Sequence, residues 1–357
     1  MSDRAKRLLD LLPGAEVDLL LITGLVNVRY LTGYTGSNGL ALVGPQTRAF
    51  VTDFRYVEQA AAEVDSSYDR GLEALELIKA VPDLLPPGPI RLGFDDGQMT
   101  VRDHVRLRDL LPGRVELVGA GGLVERLRAV KEPGEVARIR AASNAADEAL
   151  TELLQDGLSG RTERELAVAL TAGMQARGAE GVAFDPIIAS GAHGALPHAT
   201  PRDVAVQTGQ LVVIDWGARL EGYCSDCTRT VAVGEPTARA REIYALVLAA
   251  QLAGLEAIKA GAGGRAVDSA AREVIDAAGH GEHFGHSLGH GVGLDVHEAP
   301  RLAKRSDDQL VSGNVVTVEP GIYLPGELGV RIEDLVVVGE NGAEILTGRD
   351  KRLTIVA

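Results

Sequence analysis

Four acidic residues stand where β-strands would ordinarily be apolar. Asp215 interrupts LVVIDWG (211 to 217), Asp226 lies in YCSDCTRT (223 to 230), Glu319 closes VVTVEP (315 to 320) and Glu333 sits within GVRIEDLVVV (329 to 338). An ionised carboxylate in an apolar strand loses its hydration without compensation. Four brought together repel one another and are driven toward protonation unless cations intervene. Glu221-Gly222 joins the first two segments as a hairpin, and a turn rich in Pro and Gly joins the second two. Each hairpin thus carries two acids, a matched pattern that suggests an internal pseudo-duplication. Taken singly, each acid reads as a salt-bridged or hairpin-end residue; four in two matched hairpins point to a shared site, where two divalent ions would balance four negative charges.

A histidine- and glycine-rich stretch, HFGHSLGHGVGLDVHE (283 to 298), adds nitrogen donors. It holds His283, His286, His290 and His297 among Gly285, Gly289, Gly291 and Gly293. Glycine lets the backbone approach a metal or substrate closely, and clustered histidines beside an acidic site read as ligands more readily than a lone one does.

The rest of the chain supplies the scaffold. Over 357 residues, 45% hydrophobic and 24% charged, the composition is that of a globular protein and excludes a disordered or collagen-like one. The length predicts two domains. Residues 17 to 120 read as a small α/β unit: VDLLLIT (17 to 23), a hairpin of LALVG and RAFVTD across Pro45, a helix over 54 to 64, further strands IRLGFD and VELV, and a helix near 100 to 111. Ala120-Gly121-Gly122 breaks the texture, so the boundary is expected at 1–122 and 123–357. Pro133 opens a long helix with an apolar face through Leu153. Thr162 with Glu165 forms a capping box before another helix, and further helices are expected at 237 to 258 and 266 to 278.

The net charge of −14 disfavours nucleic acid and anionic membrane surfaces as partners. The N-terminal charges Asp3, Arg4, Lys6, Arg7 and Asp10 leave no room for a signal peptide. The longest apolar run, Ile243 to Leu255, is broken by Gln251 and too short to span a bilayer. A cytoplasmic protein is expected. Cys224 and Cys227 are spaced as CxxC, but on a continuous strand residues three apart face opposite ways, which argues against a joint dithiol or zinc site.

The motifs DWG with YCSDCTRT, HSLGHGVGLDVHE, VEPGIY and GVRIED, in this order, resemble those of the pita-bread metallopeptidases, the superfamily of methionine aminopeptidase, aminopeptidase P, prolidase and creatinase. NVRYLTGYTGSNG (27 to 39), VTDFRY (51 to 56) and ERLRAVKEPGEVARIRAA (125 to 142) resemble the N-terminal domain and linking helix of the proline-specific branch. The resemblance implies an α/β (α+β) architecture: a small creatinase-like α/β domain, then a pita-bread domain with a pseudo-duplicated curved antiparallel sheet and covering helices. It also implies two divalent metal ions, with Asp215 on one, His290 and Glu319 on the other, and Asp226 and Glu333 bridging. Such an oxygen-rich set with one imidazole suits Mn²⁺, with Co²⁺ or Zn²⁺ as alternatives. By the same resemblance His198 (in ALPHATP), His286 and His297 contact the scissile carbonyl, the substrate or the shifting proton. Glu319 doubles as a proton shuttle, and Arg331 and Tyr323 lie near the substrate. Arg331, two residues before Glu333, is expected on the same strand face.

The expected activity is hydrolysis of the Xaa-Pro bond in peptides with proline at the second position. The leading α/β domain argues against methionine aminopeptidase; the five intact ligands argue against creatinase and against a non-catalytic interaction module. No insertion walls off the cleft, which favours the aminopeptidase P type over the dipeptidase (prolidase) type. A homodimer is expected, with residues 27 to 39 as a candidate contact.

Overall fold

The computed structural model describes residues 4–72 and 76–357; Met1 to Asp3, where the reading of the N-terminus begins, lie outside them. The chain divides into two compact units between Arg128 and Ala129. The sequence places this division after residue 122; the helix Leu123–Ala129 runs up to the observed division and is tied to the first unit through Glu125 and Arg128. Asn27 donates to Glu125 at 2.7 Å and Arg128 donates to Asn27 Oδ1 at 2.8 Å.

Among the described residues, the first unit carries a six-stranded mixed sheet. The central strand Leu19–Ile22 is buried along its whole length, as its uninterrupted apolar run requires. It pairs antiparallel with Leu40–Gly44 and parallel with Ile90–Phe94. The hairpin of Leu40–Gly44 with Thr47–Thr52 crosses Pro45, and Val115–Gly119 extends the other side. Leu19, Leu21, Leu42, Leu92 and Leu107 meet in the core beneath the helix Val101–Leu110.

The second unit is built twice over. In its first half the helices Pro133–Gln155 and Glu163–Ala176 cover a sheet that includes Ile187–Ser190, Leu211–Trp216 and Cys227–Val233. Leu150, Leu166, Leu170, Ile214, Trp216 and Val231 share that core. In its second half the helices Ala238–Ala257 and Gly264–Ala277 cover a sheet that includes Gly289–Gly291, Val315–Val318 and Asp334–Val338, around Ile243, Val267, Val316 and Val336. Local chemistry sets the helix starts. Pro133 occupies the first helical turn, and both Glu132 with Glu135 and Thr162 with Glu165 form reciprocal capping boxes, a device that contributes about 1 kcal/mol per helix. No helix among the described residues is long and apolar enough to cross a membrane.

The strands are shorter than the sequence patterns suggest, and the interruptions fall at the acids. YCSDCTRT is not one strand: Tyr223–Cys224 ends, Ser225 and Asp226 lie between, and Cys227–Val233 begins. VVTVEP breaks at Glu319 before Gly321–Leu324, and GVRIEDLVVV breaks at Ile332 and Glu333 between Leu328–Arg331 and Asp334–Val338. A regular ladder would hold these side chains to a pleat, whereas a break lets each carboxylate turn out of the apolar layers. The strand argument about the cysteines therefore fails. Both thiols are nevertheless buried and separately engaged, Cys224 Sγ with Leu294 O and Cys227 Sγ with Glu333 O.

Candidate metal centre and substrate cleft

The two halves meet where their acids lie. Thr228 stands opposite Asp215 in the first sheet, and its carbonyl accepts from Glu333 N at 3.0 Å while its hydroxyl donates to Glu333 Oε2 at 2.7 Å. Asp226, His290 and Glu333 each offer a ligand atom within 4.8 Å of the others, and all three are buried. His290 Nε2 lies 3.7 Å from Asp226 Oδ2 and 3.4 Å from Glu319 Oε1. The other nitrogen of His290, Nδ1, donates to Gly291 O at 3.1 Å, leaving the Nε2 lone pair to face the acids. Thr317 Oγ1 accepts from His290 N and donates to Glu319 Oε1, both at 3.1 Å. Asp215 stands outside the closest trio: Arg331 Nη2 donates to its Oδ2 at 2.6 Å, while its buried Oδ1 has no hydrogen-bond partner.

The electrostatics describe a site that wants cations. Burial raises the carboxyl of Asp226, and Glu333, Asp215 and Glu319 raise it further. Glu333 is raised by burial and then by Glu319 and Asp215. Glu319 is pushed up to about 8, by burial first, with Arg331 opposing and Asp215 adding to the rise. Burial also lowers His290 to about 4, so its imidazole is neutral at neutral pH and able to ligate. These acids would hold protons they could surrender to a divalent cation. The partnerless Asp215 Oδ1, the neutral His290 Nε2 and the crowded carboxylate oxygens fit hard or borderline ions.

Around this cluster runs a cleft of about 440 Å³. It is lined by the five acidic and histidine candidates and by His198, His286, His297 and Arg331. The His297 and His290 rings lie 4.3 Å apart between centroids. Burial, and then Arg301, lowers His297. Arg331 is not joined to Glu333 by a shared strand, since Leu328–Arg331 ends before that acid; the link runs through Thr228 Oγ1, which accepts from Arg331 Nε at 3.0 Å. Tyr323 is buried and absent from the cleft lining. Its hydroxyl accepts from Arg331 Nη1 at 2.8 Å and lies 2.9 Å from His286 Nε2. With Ser287 O accepting from His286 Nδ1 at 2.8 Å, Tyr323 donates to Nε2, completing a chain from Asp215 to His286. His283 is away from the cleft lining and pairs instead with His280, Nδ1 to Nδ1 at 3.1 Å.

A Cβ on Gly289 would lie 2.0 Å from Thr317 O and one on Gly291 2.2 Å from Ala299 O, so these positions let neighbouring strands close on the His290 backbone. Sequence reasoning missed Arg301, four residues after His297 on the strand Glu298–Leu302, which supplies the second cation of the cleft besides Arg331. It also missed Phe184, Asp185, Pro186 and Ile187 on the wall beside Asp215, where Ile187 is Asp215's strand partner. Nothing local in the sequence relates those positions.

The first unit matches the Creatinase/Prolidase N-terminal domain model over residues 4–130, and the second matches metallopeptidase family M24 over residues 137–340. The chain belongs to metallopeptidase family M24, and its architecture is the pita-bread fold with a creatinase-type N-terminal domain. It is 36% identical over 361 residues to a protein of Pyrococcus furiosus named Xaa-Pro dipeptidase, covering 99% of this chain and all of that one. Among solved structures, the Xaa-Pro dipeptidase from Bacillus anthracis is 40% identical, with a TM-score of 0.95 over 99% of each chain. The X-Pro aminopeptidase from Thermotoga maritima is 39% identical, with a TM-score of 0.90 over 99% of this chain and all of that one.

Proposed function

We propose that the protein is a metal-dependent Xaa-Pro dipeptidase. Asp215, Asp226, His290, Glu319 and Glu333 hold two divalent ions, with manganese the first choice for their oxygen-rich donor set. Ions held there supply Lewis acidity that activates water and polarises a peptide carbonyl. The chain's own groups do the rest. Arg331 fixes Asp215 and, through Tyr323, the neutral His286. His198 and His297 stand on the cleft wall to hydrogen-bond the scissile carbonyl and the substrate, and Glu319 passes a proton to the departing proline nitrogen.

One observation carries the choice of dipeptides: Arg301 lies exposed on the cleft wall with no acidic partner among the described ion pairs. Arg331 is committed to Asp215 and Tyr323. Arg301 is thus the cation positioned to take the free carboxylate that follows proline in a dipeptide. The names borne by the Pyrococcus and Bacillus relatives support this reading over the aminopeptidase type that the sequence favoured. The earlier preference rested on the lack of an insertion walling off the cleft, but one guanidinium can select a carboxylate without a wall. The aminopeptidase type stays as the second reading because of the Thermotoga relative.

The test compares kcat/KM on Ala-Pro and Ala-Pro-Ala. A preference of about tenfold or more for the dipeptide, reduced in Arg301→Ala mainly through KM, is expected; equal or better cleavage of the tripeptide transfers the assignment to the aminopeptidase. We also propose a homodimer, the commonest closed association, which light scattering above the 37.5 kDa chain mass would reveal.

A further inference from the structure

His198 stands on an irregular stretch between the strands Ile187–Ser190 and Leu211–Trp216, and a loop of that kind ordinarily leaves a side chain free to wander. Here one buried carboxylate outside the cleft fastens residues on both sides of His198. Glu163, the first residue of the helix Glu163–Ala176, has a fully buried side chain. Its Oε1 accepts from Ser190 N at 2.9 Å and from Ser190 Oγ at 2.8 Å. Its Oε2 lies 3.0 Å from His193 Nδ1. Arg202 closes the far end, with N and Nε donating to Oε2 and Nη2 to Oε1, each at 3.0 Å. Residues 190, 193 and 202, on either side of His198, are therefore fixed to a single group. Pro197 O, next to His198, is fixed from the cleft side by Arg331 Nη1 at 3.2 Å.

A buried acid this well supplied with donors exceeds what holding one turn requires. Burial alone would raise its carboxyl, yet the donors from Arg202 and Ser190 bring it down to about 2, so it is ionised throughout the neutral range. Charge-assisted bonds are about twice as strong as neutral ones, and the paired contact with Arg202 adds direction.

We infer that Glu163 is a positioning residue for His198: its carboxylate sets the loop so that the imidazole meets the reacting carbonyl. The inference rests on the proposed function for its kinetic readout and on the loop geometry for its structural one.

A double-mutant cycle tests it in the Mn²⁺-loaded full chain. Glu163→Gln, with Arg202→Gln as the milder partner on an exposed side chain, should lower kcat/KM on the Xaa-Pro substrate by about tenfold, chiefly in kcat, with two ions per chain retained. In a His198→Ala background the same substitutions should change kcat/KM by less than about twofold. Equal losses in both backgrounds, or loss of metal in step with activity, would show Glu163 to be a general support of the fold and overturn the inference. If Glu163→Gln does not fold, Arg202→Gln alone decides by the same comparison. In the metal-free full chain, where no paramagnetic Mn²⁺ broadens nearby signals, a proton resonance of the His198 ring, identified by its disappearance in His198→Ala, should shift in Arg202→Gln and Glu163→Gln. An unmoved resonance also overturns the inference. Should the parent protein cleave no Xaa-Pro peptide, the proposed function fails, while the resonance still reports on the clamp.

Discussion

Single side chains at this site divide by what lies behind them. His290 faces Asp226 and Glu319 with its Nε2, whereas among the described residues His297 meets the cluster through ring contact with His290 and lines the cleft. His297→Ala should therefore keep both ions while lowering kcat/KM by about 10²-fold, the scale of a lost hydrogen bond to the reacting group. Metal analysis beside kinetics checks this, and a fall in metal content would make His297 a support of the ligand set. Away from the site, Asp147 is buried on the helix Pro133–Gln155 with Oδ1 unpartnered. Burial pushes its carboxyl up to about 6, against the opposing pull of Gly348 N and of Arg229 and Arg349. With the folded pKa above the unfolded one, the native state keeps a proton that the unfolded chain releases. Stability therefore falls as pH rises from about 4 through 6 and is level beyond. Asp147→Asn should raise the unfolding midpoint at pH 7 by an amount equivalent to at most about 3 kcal/mol and leave it unchanged near pH 4. A gain that does not vary with pH contradicts the burial argument.

At the scale of elements, the loops that carry His198, His286 and His297 are tied down by buried ionic groups. Glu163 holds the His198 loop. Arg272, paired with Asp268 on the helix Gly264–Ala277, donates to Phe284 O at 2.8 Å and to His286 O at 2.9 Å. Lys131 pairs with Glu298, whose Oε1 accepts from Asp295 N just before His297. Strand closeness matters as much as loop anchoring. Gly289→Ala drives a Cβ to 2.0 Å from Thr317 O, while Gly285→Ala meets nothing within 4 Å. The first should cost about 2–3 kcal/mol and reduce metal occupancy, because Thr317 holds both His290 and Glu319; the second should stay within about 0.5 kcal/mol of the parent. Denaturant titration and metal content compare them. Comparable losses would mean that the strand pair yields easily at Gly289.

For the molecule as a whole, the crowded acids make the site a store of unfavourable charge that ions relieve. With two ions proposed for the folded protein and no assembled ligands in the unfolded one, each Mn²⁺ site at about 100 times its Kd should stabilise by about 2.7 kcal/mol. Chelation should reverse this, seen as a drop in Tm of the cooperative unit that contains residues 129 to 357. Replacing Glu333, which sits where the two halves join through Thr228, should abolish most of the Mn²⁺-dependent rise. A rise that survives Glu333→Ala would place the stabilising ion elsewhere.

Much of this was written locally. Asp215, Asp226, Glu319 and Glu333 betray themselves as charges in apolar strands, Thr162 and Pro133 mark helix starts through their own hydrogen-bonding and dihedral limits, and the repeated hairpin announces a doubled unit. Patterns of period and burial reach only a few residues along the chain. The breaks at Asp226 and Glu333, Arg331 reaching Asp215 across 116 residues, Tyr323 joining Arg331 to His286, and Glu163 gathering Ser190, His193 and Arg202 depend on how separate elements pack. The sequence by itself determined which residues could bear the chemistry, because charge and hydrogen-bonding capacity belong to side chains. The tertiary structure alone decided which of them share a cleft and which hold the others still, because those relations arise from distances between segments remote in the chain.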